Sequence, residues 1–257
     1  MRDVTHLFRA NAFVGPEAAG NPTCVVIEDV ELSERDRHDI ARELAVPDTA
    51  FVYRTRAVEP WSVRFYSPDE GEMSFCGQGL IAVDAVLREV AHAPRDTPIT
   101  LVTRIGVVRT RSAANTHWFD VPRDRIRRCD GDISPATLAK ALTGATPAPV
   151  IDSGRRRLFH RCHDGASLNA IGIAPAAVVA FCGTHNLTGL CFYTLLDRHR
   201  IALRVFTISL SGREDASTGG AVLGLSVLLP PGEWMIDQGS GGRASRGLLL
   251  LDSSSLA

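Results

Sequence analysis

Two stretches of this chain are apolar on nearly every side at helical spacing, and both are entered in the same way. Residues 76–90 carry Leu80, Ile81, Ala82, Val83, Ala85, Val86 and Leu87. A helix that is apolar all round belongs at the centre of a domain, wrapped by other elements. A strand-like segment, a polar turn and the small-residue entrance Cys76-Gly77-Gln78-Gly79 precede it, in "VRFYSPDEGEMSFCGQGLIAVDAVL". The second half repeats that plan in "LRVFTISLSGREDASTGGAVLGLSVLL", with the entrance Thr218-Gly219-Gly220, a helix predicted over 218–229, and a stop at Pro230-Pro231. The period is far longer than that of any solenoid repeat. The fold expected is α+β, with two pseudo-symmetric lobes, 1–122 and 123–257. Each is a curved, mostly antiparallel sheet or barrel around one buried helix, the last strand being free to cross back to the first lobe.

The remaining elements fit such lobes. "LFRANAF" and "PTCVVIED" read as strands around a Gly-Asn-Pro turn at 20–22. A short helix follows with Ser33 as N-cap and Pro47 as its stop. Strands are expected just after Asp48 ("TAFVYRT") and in "WSVRFYS", "ITLVTRIGVVRTR" and "THWFDVP". In the second half, helices are predicted at "ISPATLAKALTG" and Ala174–Cys182. Strands are predicted at "LFHRCHDG", "GLCFYTLLD", "IALRVFTIS", "EWMIDQG" and "SRGLLLLD".

Composition narrows the function classes. The 257 residues are 45% apolar and 22% charged, an ordinary globular balance with material for two cores. A formal net charge of −1 supplies no field for nucleic acid or an anionic membrane. The basic runs at 123–128 and 153–161 read as solvated faces. No segment has signal-peptide character or the length of a membrane span. The six cysteines, without a CxxC pair, read as small apolar residues of a cytoplasmic protein. "HRCH" at 160–163 suits no common zinc site, so no metal is expected. Gly77-Gln78-Gly79-Leu80-Ile81-Ala82 fits a dinucleotide fingerprint, but a charged turn stands where that fingerprint needs a buried strand, so no nicotinamide or flavin is expected either.

The glycine entrances carry the candidate chemistry. The first turn of a helix presents unpaired N–H groups and a partial positive charge, a ready anion site. Two such entrances facing one cleft would hold a carboxylate with little help from lysine, of which the chain has only Lys140. Gly77, Gly79, Gly219 and Gly220 would then let substrate approach the backbone.

"AGNPTCVVIED", "LSERDRHDIARELAVPDTAFVYR", "VRFYSPDEGEMSFCGQG", "EDASTGGAVLGL" and "IDQGSGGRAS", in this order, resemble the phenazine-biosynthesis PhzF-like isomerase family over essentially the whole chain. The resemblance implies the diaminopimelate-epimerase fold, with the active site between two lobes. It also implies that Asp48 stands where the family has its general acid/base glutamate. Gln78 replaces the histidine of the family's Gly-His-Pro. In "EDASTGG" Asp215 is retained, and Gly220 replaces a serine. The epimerase branch of the fold places a catalytic thiol where Cys76 lies, but its second thiol corresponds to Ala216. Inversion needs a base on each face of the carbon, so a two-thiol racemase is not expected.

The function expected is a cofactor-independent isomerase that shifts a proton and a double bond in a small unsaturated carboxylate. Asp48, desolvated, would take the proton and return it on the same face. The backbones of Cys76–Gly79 and Thr218–Gly220 would hold the carboxylate, and Gln78 and Asp215 would bind amine or amide groups. The family's occurrence in antibiotic pathways makes a specialised biosynthetic role the expectation, as a homodimer. The rival readings are a racemase using Cys76 with Asp48 or Asp215 as second base, and a non-catalytic small-molecule-binding protein.

Overall fold

The computed structural model describes residues 6–14, 20–54, 60–90, 92, 97–113, 116–121, 125–240 and 245–251. The chain divides into two compact units, Met1–Ala12 with Asn21–Pro122, and Phe13–Gly20 with Arg123–Ala257. Several sequence features extend past the described residues: Ala19 of the first family-like block, Thr55 and Pro122 at expected strand ends, Arg123 and Asp124 of the first basic run, residues 241–244 of the last family-like block, and Asp252 of the last expected strand. Among the described residues no helix is long and apolar enough to cross a membrane.

The first unit contains β1 (His6–Ala12), β2 (Asn21–Glu28), α1 (Glu34–Leu44), β3 (Asp48–Tyr53), β4 (Trp61–Ser67), β5 (Gly71–Met73), α2 (Gly77–Val90), β6 (Ile99–Thr103), β7 (Gly106–Ala113) and β8 (Thr116–Asp120). Its sheet runs β1-β2-β3-β4-β6-β7-β8, with β5 folded onto β4. The helix α2 packs against both β1 and β8, the two ends of that order, so the sheet curls around it. Leu80, Ala82, Val83 and Leu87 are each at most 1% exposed, and burying a side chain of leucine size contributes about 1.5–3 kcal/mol. The outer face of the sheet carries Val26, Phe51 and Tyr66 against Ala41 of α1. Strand alternation therefore turns Asn21 and Thr23 of β2, and Asp48 of β3, toward α2.

Ser33 caps α1 as expected, its hydroxyl accepting from Asp36 N–H at 3.2 Å. The helix ends earlier than Pro47, because Ala45 turns into the left-handed region (φ 52°) while its N–H donates to Ala41 C=O. In the middle of α2 a buried acid interrupts the apolar run. Asp84 is fully buried, and its carboxylate accepts from Arg88 Nη2 at 2.9 Å, Thr110 Oγ1 at 2.5 Å and His117 Nδ1 at 2.7 Å.

The second unit contains β9 (Arg127–Arg128), β10 (Val150–Asp152), β11 (Arg156–Arg161), α3 (Gly165–Asn169), α4 (Pro175–His185), β12 (Gly189–Asp197), β13 (Arg200–Thr207), β14 (Glu214–Asp215), α5 (Gly219–Leu225), β15 (Gly232–Gln238) and β16 (Ser245–Leu251). Its sheet runs β16-β15-β13-β12-β11-β10-β9, with β14 folded onto β13. The central pairings repeat those of the first unit in the same order. The antiparallel pair β1–β2 corresponds to β10–β11, and the parallel crossover β2–β3 to β11–β12. The antiparallel pair β3–β4 corresponds to β12–β13, and the parallel return β4–β6 to β13–β15. Each central helix follows the short folded-back strand. Ala221 and Leu225 of α5 lie in one cluster with Phe159, Leu203, Trp234 and Ile236 from the sheet.

Three expectations are corrected. Residues 133–144 form turns and one 3-10 turn, Lys140–Leu142, instead of a helix. The bridge Ile133–Ala148 pins both ends of the segment, and single turns suffice to deliver Leu138 and Leu142 to the core. The second central helix ends at Leu225. Residues beyond it tighten into i→i−3 bonds, such as Ser226 N–H to Leu223 C=O at 3.0 Å, where Gly224 and Ser226 weaken helix propensity. The basic run at 153–161 is not a solvated face throughout, because strand alternation in β11 buries Arg157 to 3% exposure.

Candidate active site

The entrance of α2 is built from Cys76 upward. Leu80 N–H donates to Cys76 C=O at 3.0 Å, and Gly79 N–H lies 3.3 Å from Cys76 Sγ. The sulfur thus takes up one of the donors that a helix leaves unpaired in its first turn. Cys76 is 7% exposed, and its position is that of a cap. Gly79 has an internal steric reason: a Cβ there would lie 2.7 Å from Cδ1 and Cε1 of Phe65 on β4. A ring in the core, rather than an approaching ligand, excludes a side chain at this position.

Beside the entrance, three polar side chains join. Gln78 Nε2 donates to Asp48 Oδ2, and Asn21 Nδ2 donates to Gln78 Oε1 at 2.8 Å. Asn21 and Gln78 are 4% and 2% exposed, whereas Asp48 is half-buried. Thr23 is the register partner of Asp48 on the neighbouring strand; its hydroxyl is buried and has no hydrogen-bond partner. The structure therefore brings Asp48, Cys76, Gly77, Gln78 and Gly79 together at one end of α2.

On α2, burial pushes the Asp84 carboxyl up, but hydrogen bonds from His117, Arg88 and Thr110 outweigh it and hold the group below its ordinary value. This cluster is satisfied, and it ties the helix to β7 and β8. Among the described residues, no three His, Cys, Asp or Glu side chains gather as a metal site would require.

Asp215, Thr218, Gly219 and Gly220 lie together in the second unit. Asp215 accepts from Ser217 N–H at 3.1 Å and from Thr218 Oγ1 at 2.7 Å. Thr218 N–H donates to Gln238 Oε1 at 3.0 Å, and Gln238 Nε2 donates to Asp215 C=O at 2.8 Å. Asp215 thus braces the turn into α5, and the N–H of Thr218 is already taken. Burial raises the Asp215 carboxyl above its ordinary value despite these hydrogen bonds and the nearby Arg157 and Arg155. Gly220 faces Arg157, whose Nη1 would lie 3.0 Å from a Cβ added there. The guanidinium, not empty space, occupies the place a serine side chain would take.

The chain matches the phenazine biosynthesis-like protein (PhzC-PhzF) family over residues 10–233. It belongs to that family. Phenazine biosynthesis-like domain-containing protein 2 of Mus musculus is 30% identical over 122 residues, which is 45% of this chain and 42% of that protein. The match thus spans less than half the length of that relative. The trans-2,3-dihydro-3-hydroxyanthranilate isomerase of Pseudomonas chlororaphis is 26% identical over 232 residues, 87% of this chain and 79% of that protein. The crystal structure of a PhzF-family protein from Enterococcus faecalis superposes with a TM-score of 0.74 at 20% identity, covering 96% of this chain and 91% of that one. The curled sheets around central helices are the diaminopimelate-epimerase-like fold expected from the PhzF-like motifs.

Five residues at these sites escaped the sequence reading. Asn21 was hidden in a Gly-Asn-Pro turn, where asparagine is ordinary. Arg157 was one arginine of a run, though a period-2 count along β11 marks it as inward. Asp84 and Arg88 stand four apart on one helix, an acid-to-base pair that signals a contact. Gln238 at a strand end carries no local signal.

Proposed function

We propose that this PhzF-family chain is an isomerase that moves a proton between two carbons of a small unsaturated carboxylate, with Asp48 as the base. The observation that carries the reading is the contact of Asp48 with Gln78 at the entrance of α2. A carboxylate is thereby held half-buried beside the first turn of a buried helix. The ionised carboxylate removes a proton from a carbon next to a carbonyl or imine. The electron pair delocalises into the adjacent double bond, and the new O–H of Asp48 gives the proton to the distal carbon. Nothing is oxidised or reduced, and Asp48 ends as it began. Such a step needs no cofactor, because the neighbouring unsaturation acidifies the C–H.

The backbone N–H groups at Gly77 and Gln78 would hold the substrate carboxylate, on a helix of 14 residues. In the second unit Asp215 and Gln238 would shape the turn, and Arg157 would add positive charge near Gly220. The name of the Pseudomonas chlororaphis relative supports a proton shift as the reaction class. The changes at Gln78 and Gly220 favour a substrate other than that relative's, in a specialised pathway of the antibiotic type, with the chain acting as a homodimer.

The test incubates wild type and Asp48→Asn with trans-2,3-dihydro-3-hydroxyanthranilate and a panel of unsaturated amino acids in D2O. A double-bond shift changes the ultraviolet spectrum, whereas a racemase would exchange Cα–H and yield both enantiomers. Turnover in wild type and none in Asp48→Asn is expected. Full turnover in Asp48→Asn would end this mechanism, and a rise in melting temperature without turnover would favour a binding protein.

A further inference from the structure

The chain Asn21–Gln78–Asp48 has only one consistent direction. An ionised carboxylate can only accept, so Gln78 must turn its NH2 toward Asp48 Oδ2. Its Oε1 then faces away, and Asn21 Nδ2 fills it at 2.8 Å. Both amides are buried, at 4% and 2% exposure, so water does not readily replace either bond. We propose that Asn21 is a positioning residue, which fixes the direction of Gln78 and so makes Oδ1 of Asp48 the atom that takes and returns the proton.

The two oxygens differ in what a new proton would meet. On Oδ2 the new O–H would face the NH2 of Gln78, donor against donor. Reversing Gln78 would relieve that clash but set its NH2 against the NH2 of Asn21. Both amides would have to turn together inside a packed lobe, where an unpaired buried polar group is costly. Protonation of Oδ1 leaves the three-residue chain intact. The C–H bond of the substrate breaks, an O–H bond forms at Oδ1, and that O–H later breaks as the distal C–H forms. This inference rests on Asp48 being the base, and it adds which oxygen acts and which residue decides it.

Two isosteric variants test it. Asn21→Leu removes the donor, and Asn21→Asp, when ionised, sets a second carboxylate in competition with Asp48 for the NH2 of Gln78. The readout is the side-chain amide spectrum of 15N-labelled protein, with Gln78 assigned by its absence in Gln78→Met. In wild type one Gln78 NH2 proton should be shifted downfield and exchange slowly, the signature of a bond to a carboxylate. Asn21→Asp and Asn21→Leu should both show it weakened by exchange between two orientations. With a turned-over substrate, kcat of Asn21→Asp should fall at least about tenfold with KM within about twofold, the scale of one charge-assisted hydrogen bond. An unchanged Gln78 signature in Asn21→Leu and Asn21→Asp would overturn the proposal. So would a lowered melting temperature with an unchanged signature, which is what packing alone would give. The spectra need no substrate, so they stand or fall separately from an Asp48→Asn variant that stays active.

Discussion

Substituting Gly79→Ala asks whether the glycine at the α2 entrance makes room for a ligand or for the core. The added Cβ would lie 2.7 Å from two carbons of the Phe65 ring, well inside the 3.4 Å at which ordinary contact begins. Phe65 is 1% exposed, so the ring has no solvent to move into. Forcing an extra carbon into a closed core costs about 1–3 kcal/mol. Alanine returns up to about 1 kcal/mol of helix propensity, and less in a first turn. A net loss of about 1–2 kcal/mol lowers the melting temperature of a chain this size by roughly 2–8 °C. Thermal and urea unfolding of wild type, Gly79→Ala, Phe65→Leu and the double variant measure it. The double variant should recover most of the loss, with a coupling of about 1 kcal/mol or more. Gly224→Ala, whose Cβ would lie 2.3 Å from Phe159 Cζ, should cost more than Gly79→Ala. A Gly79→Ala protein as stable as wild type but unable to bind ligand would refute the packing argument and restore the ligand-clearance reading.

Other outcomes follow from the buried polar groups. Asp84→Asn should destabilise by about 3–5 kcal/mol, since Arg88, 6% exposed, keeps its charge and loses its counter-charge. Because the folded protein holds Asp84 below its ordinary value of 3.8, its contribution is present above that pH and lost as pH falls below it; acid unfolding of Asp84→Asn should lack that component. Asp215 is raised in the folded protein, so its contribution declines as pH rises above 3.8; Asp215→Asn should remove that decline, so that its stability relative to wild type is higher at pH 7 than at pH 3. A stability difference between Asp215→Asn and wild type that stays the same from pH 3 to pH 7 would contradict the assignment of burial as the dominant cause. Thr23→Val deletes a buried hydroxyl without a partner and should stabilise by about 1 kcal/mol. A lowered melting temperature there would show that the hydroxyl contributes to the folded state.

How much of this was legible in the sequence depended on whether the signal was local. Strand and helix periodicity, the Ser33 cap and the repeated polar turn before an apolar run are local, and they yield two curled lobes. The length of α5 was not local. Its apolar run continues to Leu229, but Gly224 and Ser226 end the regular helix at Leu225 while the chain goes on burying apolar residues in tighter turns. The same holds for the segment around Leu138 and Leu142, where the core needs two leucines and not the helix between them. At the candidate site, the carboxylate and the amide were visible as motif positions. Asn21, 57 residues from Gln78 in sequence, was not. Hydrogen-bond partners on a strand and a distant helix leave no trace in spacing, and the reach of a buried arginine such as Arg157 toward Gly220 leaves none either.

The claim that Asp48 both takes and returns the proton is tested most directly by following one isotope. A substrate deuterated at the carbon that loses hydrogen is converted in H2O under single-turnover conditions, and the product is analysed for deuterium at the carbon that gains it. A single carboxylate on one face, working in a half-buried site, predicts measurable transfer of the label to the distal carbon, and none of it in Asp48→Asn. Complete washout of deuterium at the first turnover, or transfer that survives Asp48→Asn, would contradict the account.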